Sequence, residues 1–578
     1  MIVGENRSGK SNFLDALRLV LDPALPDSQR TLRGEDFWDG LEKPFAGNII
    51  EIKVYIRGFD DNKSAQSVLV DSIIKDEPLT ALLTYQFRPH ASIEENKDPK
   101  EADYEFVVFG GADEKNRVAT EVRKWLAMVV LPALRDAETD MQSWKRSPLR
   151  PLLDRAKKLV EAGKLEEVRD ILDDATKKLI QESSIKDLSQ GINTRLGAMI
   201  GPVHSVETRF DFASNEPEQL LRSLRLFLKE KVSRPLSDAS LGTANILFLS
   251  LLLQDLDAKI EAKELASTIL AIEEPEAHLH PHLQRLLFRH FLRRDHSIIV
   301  TTHSPHLASV APLRSLVLLR TASGETTGFT ARKLGLSTEE VDDLQRYLDA
   351  TRAELLFAKG VVLVEGPAEQ FILPAFAAAR LKKKKVATSL DEMGISVCSV
   401  HGTDFLPYAK FLSNSGMAIP HVVITDGDES NSHEVEKASA GLLRGVKLVA
   451  NKDTRDKVQM LIHEAKYVNA KKALRSAGIF IGEATLELDL LPILASEFKD
   501  TYEELKGVGS ASERFSESVD KTYEGDEDSG INVLTRIERI GKGRFAQRLA
   551  SKIDGQEPPP YICEAIDSII RTVREGLA

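Results

Sequence analysis

The chain has 578 residues, of which 42% are hydrophobic and 29% are charged, and its net charge is −12. Its length predicts about three or four domains, and its two cysteines exclude a disulfide framework and a cysteine-rich zinc site. No signal peptide precedes the first motif, so we expect a cytoplasmic protein that does not contact a membrane.

The sequence GENRSGKS at residues 4–11 fits the phosphate-binding pattern G-x-x-x-x-G-K-[ST]. The apolar residues before it predict a strand, and SNFLDALRLVL after it has apolar residues at helical spacing. In this pattern backbone N–H groups surround the phosphates, the lysine reaches the β- and γ-phosphates, and the serine hydroxyl holds Mg²⁺. A chance glycine turn is the alternative. The predicted ATP-binding residues are Gly4, Asn6, Gly9, Lys10 and Ser11.

Three further motifs predict the rest of an ATP site. The strand in STILAIEEPEAHLHP ends in Glu273, expected to support Mg²⁺, and Glu274, expected to orient the attacking water. In SIIVTTHSPHL, His303 follows an apolar strand, where a histidine can sense the γ-phosphate. In LSDASLGTANI, Ser240 and Gly242 should begin a helix that offers free N–H groups to an anion. In a head-to-tail dimer this turn would cover the γ-phosphate held by the other subunit.

The pattern of apolar and charged segments divides the chain into units. The predicted units are an α/β head at 1–335 with a helical insertion at about 145–205, a helical connector at 336–358, a second α/β domain at 359–500, and a helical segment at 501–578. The insertion is either a solvated helix pair or a dimerisation arm. Residues 506–530 are rich in serine, glycine and charge, so we expect a flexible linker there.

Carboxylates follow the apolar strands of the second α/β domain in three places. The motifs are LVEGPAE with Glu365 and Glu369, ITDGDES with Asp426 and Asp428, and GEATLELD with Glu487 and Asp489. Residues two apart on an extended segment point the same way, so the aspartates should converge beside Glu365. Taken singly, each acid is more often a solvated residue at a strand end.

Clustered carboxylates ordinarily need a cation to stay ionised together. Oxygen ligands favour Mg²⁺ or Mn²⁺ over Zn²⁺. Two such ions about 3.5–4 Å apart can stabilise the attacking and leaving oxygens in phosphodiester cleavage. The carboxylate pattern therefore predicts a two-ion site in the second α/β domain, beside the one Mg²⁺ expected with ATP.

The motifs resemble known families. EEPEAHLHP and TTHSP resemble the SMC/Rad50/RecF-type branch of ABC ATPases, and EGPAE followed by DGD resembles the Toprim fold. With ALRDAE, SLGT and KGRFAQRLA, nearly the whole chain resembles the OLD (overcoming lysogenization defect) family of nucleases, which includes the nuclease subunit of Gabija anti-phage systems. The implied fold class is α/β: an SMC/Rad50/RecF-like ABC ATPase head with a helical insertion, then a Toprim α/β domain and a helical C-terminal extension that completes the nuclease site.

The resemblance also implies roles and partners. Glu365, Glu369, Asp426, Asp428 and Glu487 would be metal ligands or the general base. Lys542 would return to the site to stabilise the charge of the transition state; its alternative is a surface lysine. ATP would be sandwiched between two heads, so we expect a homodimer or a higher homo-oligomer.

DNA is the expected substrate. Its candidate phosphate contacts are the basic runs Lys382–Lys385 and Gly541–Arg548. A helicase partner is expected if the protein belongs to a Gabija-like system.

The sequence therefore predicts an ATP-regulated, divalent-metal-dependent DNA endonuclease or nickase, in anti-phage defence or DNA processing. The alternative is a RecF-like DNA-clamping repair ATPase whose Toprim domain does not cleave. A topoisomerase-like strand passer would need a tyrosine nucleophile, and no tyrosine lies in a context typical of one.

Overall fold

The structure is a computed structural model of the chain. It describes residues 1–93, 99–118, 122–123, 126–131, 143, 147–160, 162–200, 226–229, 233–235, 239–262, 267–293, 297–322, 324–348, 350–384, 389–428 and 438–577. The ALRDAE motif at 133–138 lies outside these residues.

The head is built on two sheets and a small hairpin. Its described strands are β1 (Ile2–Gly4), β2 (Ile50–Arg57), β3 (Ile73–Asp76), β4 (Leu79–Pro89), β5 (Tyr104–Gly110), β6 (Leu126–Leu131), β7 (Phe227–Lys229), β8 (Ser233–Pro235), β9 (Ser267–Glu273), β10 (Ser297–Thr302), β11 (Val317–Ala322) and β12 (Glu325–Thr330). Its described helices are Lys10–Leu21, Asp27–Arg30, Lys63–Leu69, Leu149–Leu159, Ala162–Ile180, Ser183–Ile200, Leu241–Glu261, Pro281–Leu292 and Pro305–Ala308.

The six-stranded sheet of the head has the order β12-β11-β1-β10-β9-β6. All neighbours in it pair in parallel except β11 and β12, which are antiparallel. The strand before the phosphate loop, β1, lies between β11 and β10. The carboxyl ends of β1, β9 and β10 therefore meet at one edge, where ligands bind in open parallel sheets. The antiparallel sheet, formed by β2, β3, β4 and β5, packs beside it.

One described helix, Leu241–Glu261, is long and apolar enough to cross a membrane by length and composition alone, with 39% of its apolar window buried inside the protein. It contributes Ala244, Phe248, Leu249 and Leu253 to the core of the head. A core helix of a globular domain passes the same test, so its apolar character is accounted for by this packing.

The second α/β domain contains a parallel sheet with the order β14-β13-β15-β16. Its strands are β13 (Gly360–Val364), β14 (Ile395–Ser399), β15 (His421–Thr425) and β16 (Ile479–Ile481). The described helices from the connector to the end of this domain are Thr338–Tyr347, Ala350–Ala353, Pro367–Lys384, Leu406–Leu412, Ala440–Leu448, Lys452–His463, Tyr467–Ser476 and Leu486–Lys506.

Both faces of this parallel sheet are buried, which explains why its strands read as continuous apolar runs. Val361 and Leu363 of β13 face a core shared with the head and the connector. Val362 and Val364 face a core shared with the C-terminal helices. The connector is part of the first core, because Leu344, Leu355 and other apolar residues of it are buried there.

The C-terminal segment is helical: Ser510–Tyr523, Glu527–Ile540, Lys542–Ala550 and Pro560–Leu577. The prediction of a flexible linker at 506–530 is wrong, because two of these helices occupy most of it. Phe515 and Val519 lie one turn apart and are fully buried against the second core. Tyr502 stacks on Phe515 with ring centroids 4.0 Å apart. The sparse apolar residues of this segment therefore form one packed helical face.

Candidate functional site

The phosphate loop runs from β1 to the first helix of the head. Gly9 has a φ of 82°, a left-handed conformation that glycine adopts without steric cost. Lys10 Nζ donates hydrogen bonds to the carbonyl oxygens of Gly4 at 3.0 Å and Glu5 at 2.8 Å. Burial lowers the pKa of Lys10, against the opposing effect of nearby glutamates, of which Glu274 is the strongest. The loop thus holds a desolvated cation suited to an anionic ligand.

The other predicted loop residues surround this cation. Asn6 lies exposed in the loop, and Ser11 is exposed on the first turn of the helix. Both side chains are therefore accessible to a nucleotide and its metal ion.

The strand ends next to the loop bring the predicted catalytic side chains together. His303 Nδ1 lies 3.4 Å from Lys10 Nζ, and His303 Nε2 lies 3.0 Å from Glu274 Oε1. Glu273 ends β9 and is paired in register with Thr301 of β10. The structure therefore places the predicted sensor histidine between the lysine and the glutamate expected to orient water.

Sequence reasoning missed Glu276, three residues beyond the strand end. Its Oε1 accepts hydrogen bonds from the Thr302 hydroxyl and from the backbone N–H of His303, the latter at 2.9 Å. It thereby fixes the turn that presents His303. The signal was available in EEPEAHL, where Glu276 is a third acid directly after the strand.

The predicted anion turn begins the helix Leu241–Glu261. Ser240 is its N-cap, and its Oγ accepts from the Thr243 N–H at 3.2 Å. A Cβ at Gly242 would lie 2.6 Å from the carbonyl oxygen of His278, so only glycine lets this turn pack on the EEPEAHL segment. Ser240 is exposed.

Carboxylates of the second α/β domain meet at the carboxyl edge of its sheet. Glu365 follows β13, and Asp426 follows the neighbouring strand β15. The N–H of Asp426 donates to Glu365 Oε1 at 2.9 Å, and the Thr425 hydroxyl donates to the same oxygen. Asp426 Oδ1 accepts from the N–H of Leu486 at 3.0 Å, which ties the β15 turn to the segment that carries Glu487.

Two further carboxylates and a lysine complete this cluster. Glu369 lies in the first turn of Pro367–Lys384 and is buried, as is Glu487. Lys542 Nζ lies 3.5 Å from Glu487 Oε2. Gly541, with a φ of 98°, turns the chain between two helices and places Lys542 at the start of the second one. A residue 55 positions from Glu487 thus reaches the site.

The electrostatics of the cluster follow from burial and mutual repulsion. Burial, reinforced by Glu365, Glu369 and Glu487, raises the pKa of Asp426 to about 9. Burial, reinforced by Glu487 and Glu365, raises the pKa of Glu369 to about 7. Burial acts to lower the pKa of Lys542, but the charges of Glu487 and Asp426 outweigh it and raise that pKa. Such a cluster favours the arrival of positive charge.

Arg444 is the second functional side chain that sequence reasoning missed. It lies on the helix Ala440–Leu448 and donates to Glu365 Oε1 at 3.1 Å and to Asp428 Oδ2 at 2.8 Å. It also donates to the Thr425 hydroxyl and to the Asp426 carbonyl oxygen. The surrounding sequence, GLLRGVKL, reads as an ordinary amphipathic helix and carries no signal for this contact.

The expectation about the direction of the Asp428 side chain is wrong. Asp428 has a φ of 41°, so the segment after β15 is not extended, and its carboxylate pairs with Arg444. Asp489 lies one turn into the helix Leu486–Lys506, where residues two apart point in different directions. Its oxygens accept from the N–H groups of Glu483 and Ala484 at 3.0 Å each, so Asp489 caps a turn instead of joining Glu487.

The donor set of the cluster consists of carboxylate oxygens, which suits Mg²⁺ or Mn²⁺. Within the described ranges, no three histidine, cysteine or acidic side chains are already arranged as ligands around one point. The raised pKa values of Glu369 and Asp426 nevertheless show buried carboxyl groups whose ionisation lacks compensating charge. The chemistry of these donors therefore fits a divalent cation.

Comparisons with known proteins agree with the division into an ATPase-like head and a Toprim-like domain. A family model described as "AAA domain, putative AbiEii toxin, Type IV TA system" matches residues 1–309, and a model of the OLD-like TOPRIM domain, "Overcoming lysogenization defect protein-like", matches residues 356–428. An ATPase domain followed by a Toprim domain is thus the class that the fold and the sites define.

Proteins of similar sequence or structure narrow this class of ATPase–Toprim proteins further. The OLD nuclease of Thermus scotoductus is 29% identical over 203 residues, which are 32% of this chain and 37% of the relative. Endonuclease GajA of Bacillus cereus is 22% identical over 308 residues, 45% of this chain and 44% of the relative. The solved C-terminal region of the Burkholderia pseudomallei OLD protein is 32% identical and covers 38% of this chain and 99% of its own, with a TM-score of 0.31.

The chain belongs to the AAA-domain family matched over residues 1–309, and its residues 356–428 match the OLD-like TOPRIM domain. The predicted fold class and family are confirmed. The matched region covers less than half the length of each of these two curated relatives.

Proposed function

We propose that this protein is an ATP-regulated, divalent-metal-dependent DNA endonuclease or nickase. The observation that carries the proposal is the meeting of Glu365 and Asp426, which follow two neighbouring strands, with Glu487 of the helix Leu486–Lys506 and a lysine supplied by the C-terminal helices. Repelling carboxylates held together beside a cation cost stability. Metal-assisted attack on a phosphodiester is the chemistry that such a site supports.

The residues of the nuclease site have distinct roles in this proposal. Glu365, Glu369, Asp426, Asp428 and Glu487 would hold Mg²⁺ or Mn²⁺, which would supply Lewis-acid stabilisation of the phosphate oxygens and an activated water. Glu365 is placed to act also as the general base, since it borders the site from β13. Lys542 stabilises the negative charge that develops on the scissile phosphate.

The head binds ATP between two subunits. Lys10 would contact the β- and γ-phosphates, Ser11 and Glu273 would hold the accompanying Mg²⁺, Glu274 would orient water and His303 would sense the γ-phosphate. Ser240 and Gly242 complete the site from the second subunit, which requires at least a homodimer. The insertion helices Ala162–Ile180 and Ser183–Ile200 expose apolar residues such as Ile171 and Leu188, which suits a dimerisation arm.

One connection between the ATP site and the nuclease site is an ion pair between the phosphate loop and the start of β13. Lys359 Nζ lies 2.5 Å from the carboxylate of Glu5, a residue of the phosphate loop. Lys359 directly precedes β13, and the far end of that strand is Glu365. Lys10 holds the carbonyl oxygen of Glu5, so a phosphate that draws Lys10 away changes the loop at Glu5. Nucleotide occupancy thereby reaches the strand that carries the nuclease carboxylate.

DNA approaches the negatively charged site through basic residues. The C-terminal run Gly541–Arg548 begins beside Lys542 and is the stronger candidate. In the run Lys382–Lys385, of which Lys385 lies outside the described residues, Lys383 pairs with Glu557 at 2.8 Å and Lys384 with Asp567 at 2.5 Å. These acids partly neutralise the run, so its contribution to DNA binding is the smaller one.

The cellular role in this proposal is anti-phage defence or DNA processing in the cytoplasm. A helicase would be its partner if the protein works in a Gabija-like system. Neither statement affects the chemistry of the site.

Plasmid cleavage tests the proposal. Wild-type protein is incubated with supercoiled plasmid and Mg²⁺ or Mn²⁺, with and without ATP, beside Asp426→Ala and the matched control Asp456→Ala, an exposed acid on a helix of the same domain. We expect metal-dependent nicking that Asp426→Ala loses and Asp456→Ala keeps. ATP-dependent DNA binding without cleavage would instead favour the RecF-like clamp.

A further inference from the structure

A cavity lies where the head, the connector, the Toprim domain and the last helix meet. Its volume is about 470 Å³, which is within the range of pockets that bind small molecules. Residues 5–8 of the phosphate loop line it, together with Leu319 and Phe329 of the hairpin β11–β12. Pro420 of the Toprim domain and Val573 of the helix Pro560–Leu577 also line it. Four separate parts of the chain therefore contribute to one pocket.

This cavity is distinct from the two candidate sites described above. Lys10, Glu274 and His303, which are expected to lie at the γ-phosphate, do not line it. The nuclease carboxylates Glu365 and Asp426 do not line it either. It shares with the ATP site only the phosphate-loop residues 5–8.

The cavity holds more positive than negative charge. Lys359 lines it and pairs with Glu5 at 2.5 Å. Arg320 of β11 also lines it and donates to the carbonyl oxygen of Ala418, and no carboxylate of the described residues lies within ion-pair distance of its guanidinium. Burial lowers the pKa of Arg320, and the acid that opposes this is Glu5, which Lys359 already holds. The guanidinium is therefore partly desolvated without an anionic partner of its own.

Two further features of the lining are typical of a ligand site. Ala418, whose carbonyl oxygen holds Arg320, has a φ of 49°, in the left-handed region that alanine rarely adopts. Ser8 has a buried hydroxyl that makes no hydrogen bond to any of the described residues. Backbone strain that positions a cation, and a buried polar group without a partner, both occur preferentially where a ligand binds.

The chemistry of the lining defines the class of ligand. An arginine fork beside an ammonium group favours phosphate oxygens, because parallel N–H groups match them in geometry and charge. Leu319, Phe329 and Val573 add apolar surface that suits an organic body attached to the phosphate.

We propose that this cavity binds a small organic phosphate about the size of a nucleoside monophosphate, with the phosphate group on Arg320 and Lys359. The site is separate from the ATP site and the nuclease site. Binding there requires neither ATP hydrolysis nor DNA cleavage, so the proposal does not depend on the proposed function.

Isothermal calorimetry on the full chain, without metal or ATP, tests the proposal with two probes, deoxyadenosine monophosphate and inorganic phosphate. We expect the nucleotide to bind at one site per chain. It should bind at least about tenfold more tightly than inorganic phosphate, because only the nucleoside contacts the apolar lining.

Two variants assign the binding to the cavity. Arg320→Gln should weaken nucleotide binding at least about tenfold, since it removes a charged hydrogen-bond donor. Thr572→Glu adds a negative charge from an exposed residue of the lining and should weaken binding to a similar extent. Arg332→Gln is the matched control, because Arg332 is an exposed arginine just beyond β12 that does not line the cavity. It should bind the nucleotide like the wild type.

Three outcomes overturn the proposal. The first is a wild type that binds neither probe, and the second is a wild type that binds the nucleotide no more tightly than inorganic phosphate. The third is nucleotide binding that Thr572→Glu and folded Arg320→Gln keep but Lys10→Ala loses, because the ligand then lies on the phosphate loop. Thr572→Glu changes an exposed side chain, so the proposal stays testable even if Arg320→Gln does not fold. None of these results alters the outcome of the plasmid cleavage test.

Discussion

Replacing Asp426 with a side chain that does not ionise should stabilise the protein at pH 8 when no metal is present. In the folded chain the pKa of Asp426 is about 9, against 3.8 for an unperturbed aspartate. A carboxyl group whose folded pKa is raised binds more protons in the folded than in the unfolded state. Stability is therefore greatest at low pH and is lost as pH rises from about 4 to about 9. Glu369, with a pKa of about 7, adds to this loss in the lower part of that range.

The size of the expected change in the free energy of unfolding follows from the shift in the pKa of Asp426. Each pKa unit corresponds to about 1.4 kcal/mol, so the full displacement of Asp426 sets an upper limit of roughly 7 kcal/mol. Glu365, Glu369 and Glu487 remain after a single substitution and still repel one another, so we expect about 2–3 kcal/mol from Asp426→Asn at pH 8. At about 2–4 °C per kcal/mol for a domain of this size, Tm should rise by roughly 4–12 °C.

The assay is thermal unfolding in EDTA at pH 5 and pH 8, followed by near-ultraviolet circular dichroism. The asparagine oxygen can still accept the N–H of Leu486, so the local turn is kept. We expect a clear increase in Tm at pH 8 and a much smaller one at pH 5, where Asp426 is already protonated. Asp456→Asn should change neither. A decrease in Tm at pH 8, or an effect independent of pH, would refute the electrostatic reasoning.

Three other outcomes follow from contacts elsewhere. Lys542→Ala should lower the rate of plasmid cleavage by at least about 100-fold, as loss of one charge-stabilising donor does, while Mn²⁺ still binds. Cleavage at the wild-type rate would mean that Lys542 is a surface lysine without a role in the reaction. Lys359→Met should abolish the effect of ATP on cleavage while metal-dependent cleavage without ATP persists, and an unchanged ATP effect would mean that the ion pair with Glu5 does not carry the coupling. Phe545→Ala should lower the free energy of unfolding in urea by about 3–5 kcal/mol, because Phe545 is buried against Phe498 with ring centroids 5.3 Å apart. The control is Phe371→Ala, at a side chain that is 40% exposed. An equal loss of stability in the control would contradict the packing argument.

Many residues of both candidate sites could be predicted because they lie close together in short sequence motifs. A phosphate loop needs glycines, lysine and serine at fixed spacing between a strand and a helix, and all of these lie within residues 1–21. Acids that follow apolar strands can be recognised without knowing the strand order, and parallel strands bring their carboxyl ends to one edge. Glu365 and Asp426 are predictable for this reason.

Other features depend on partners far apart in the chain. The segment 506–530 looks like a linker because its few apolar residues become a helical face only against Phe545 and the Toprim sheet. Asp489 looks like a ligand, but the helix that begins at Leu486 turns it towards the backbone of Glu483.

By itself the sequence determined the two classes of site, because each motif carries its chemistry and its local backbone geometry together. Only the tertiary structure decided which charges compensate one another. Arg444 meets Glu365 across 79 positions, Lys542 meets Glu487 across 55, and Lys359 meets Glu5 across 354. Such pairs are fixed by how sheets and helices pack, since a charged side chain on an amphipathic helix has no partner until the fold supplies one.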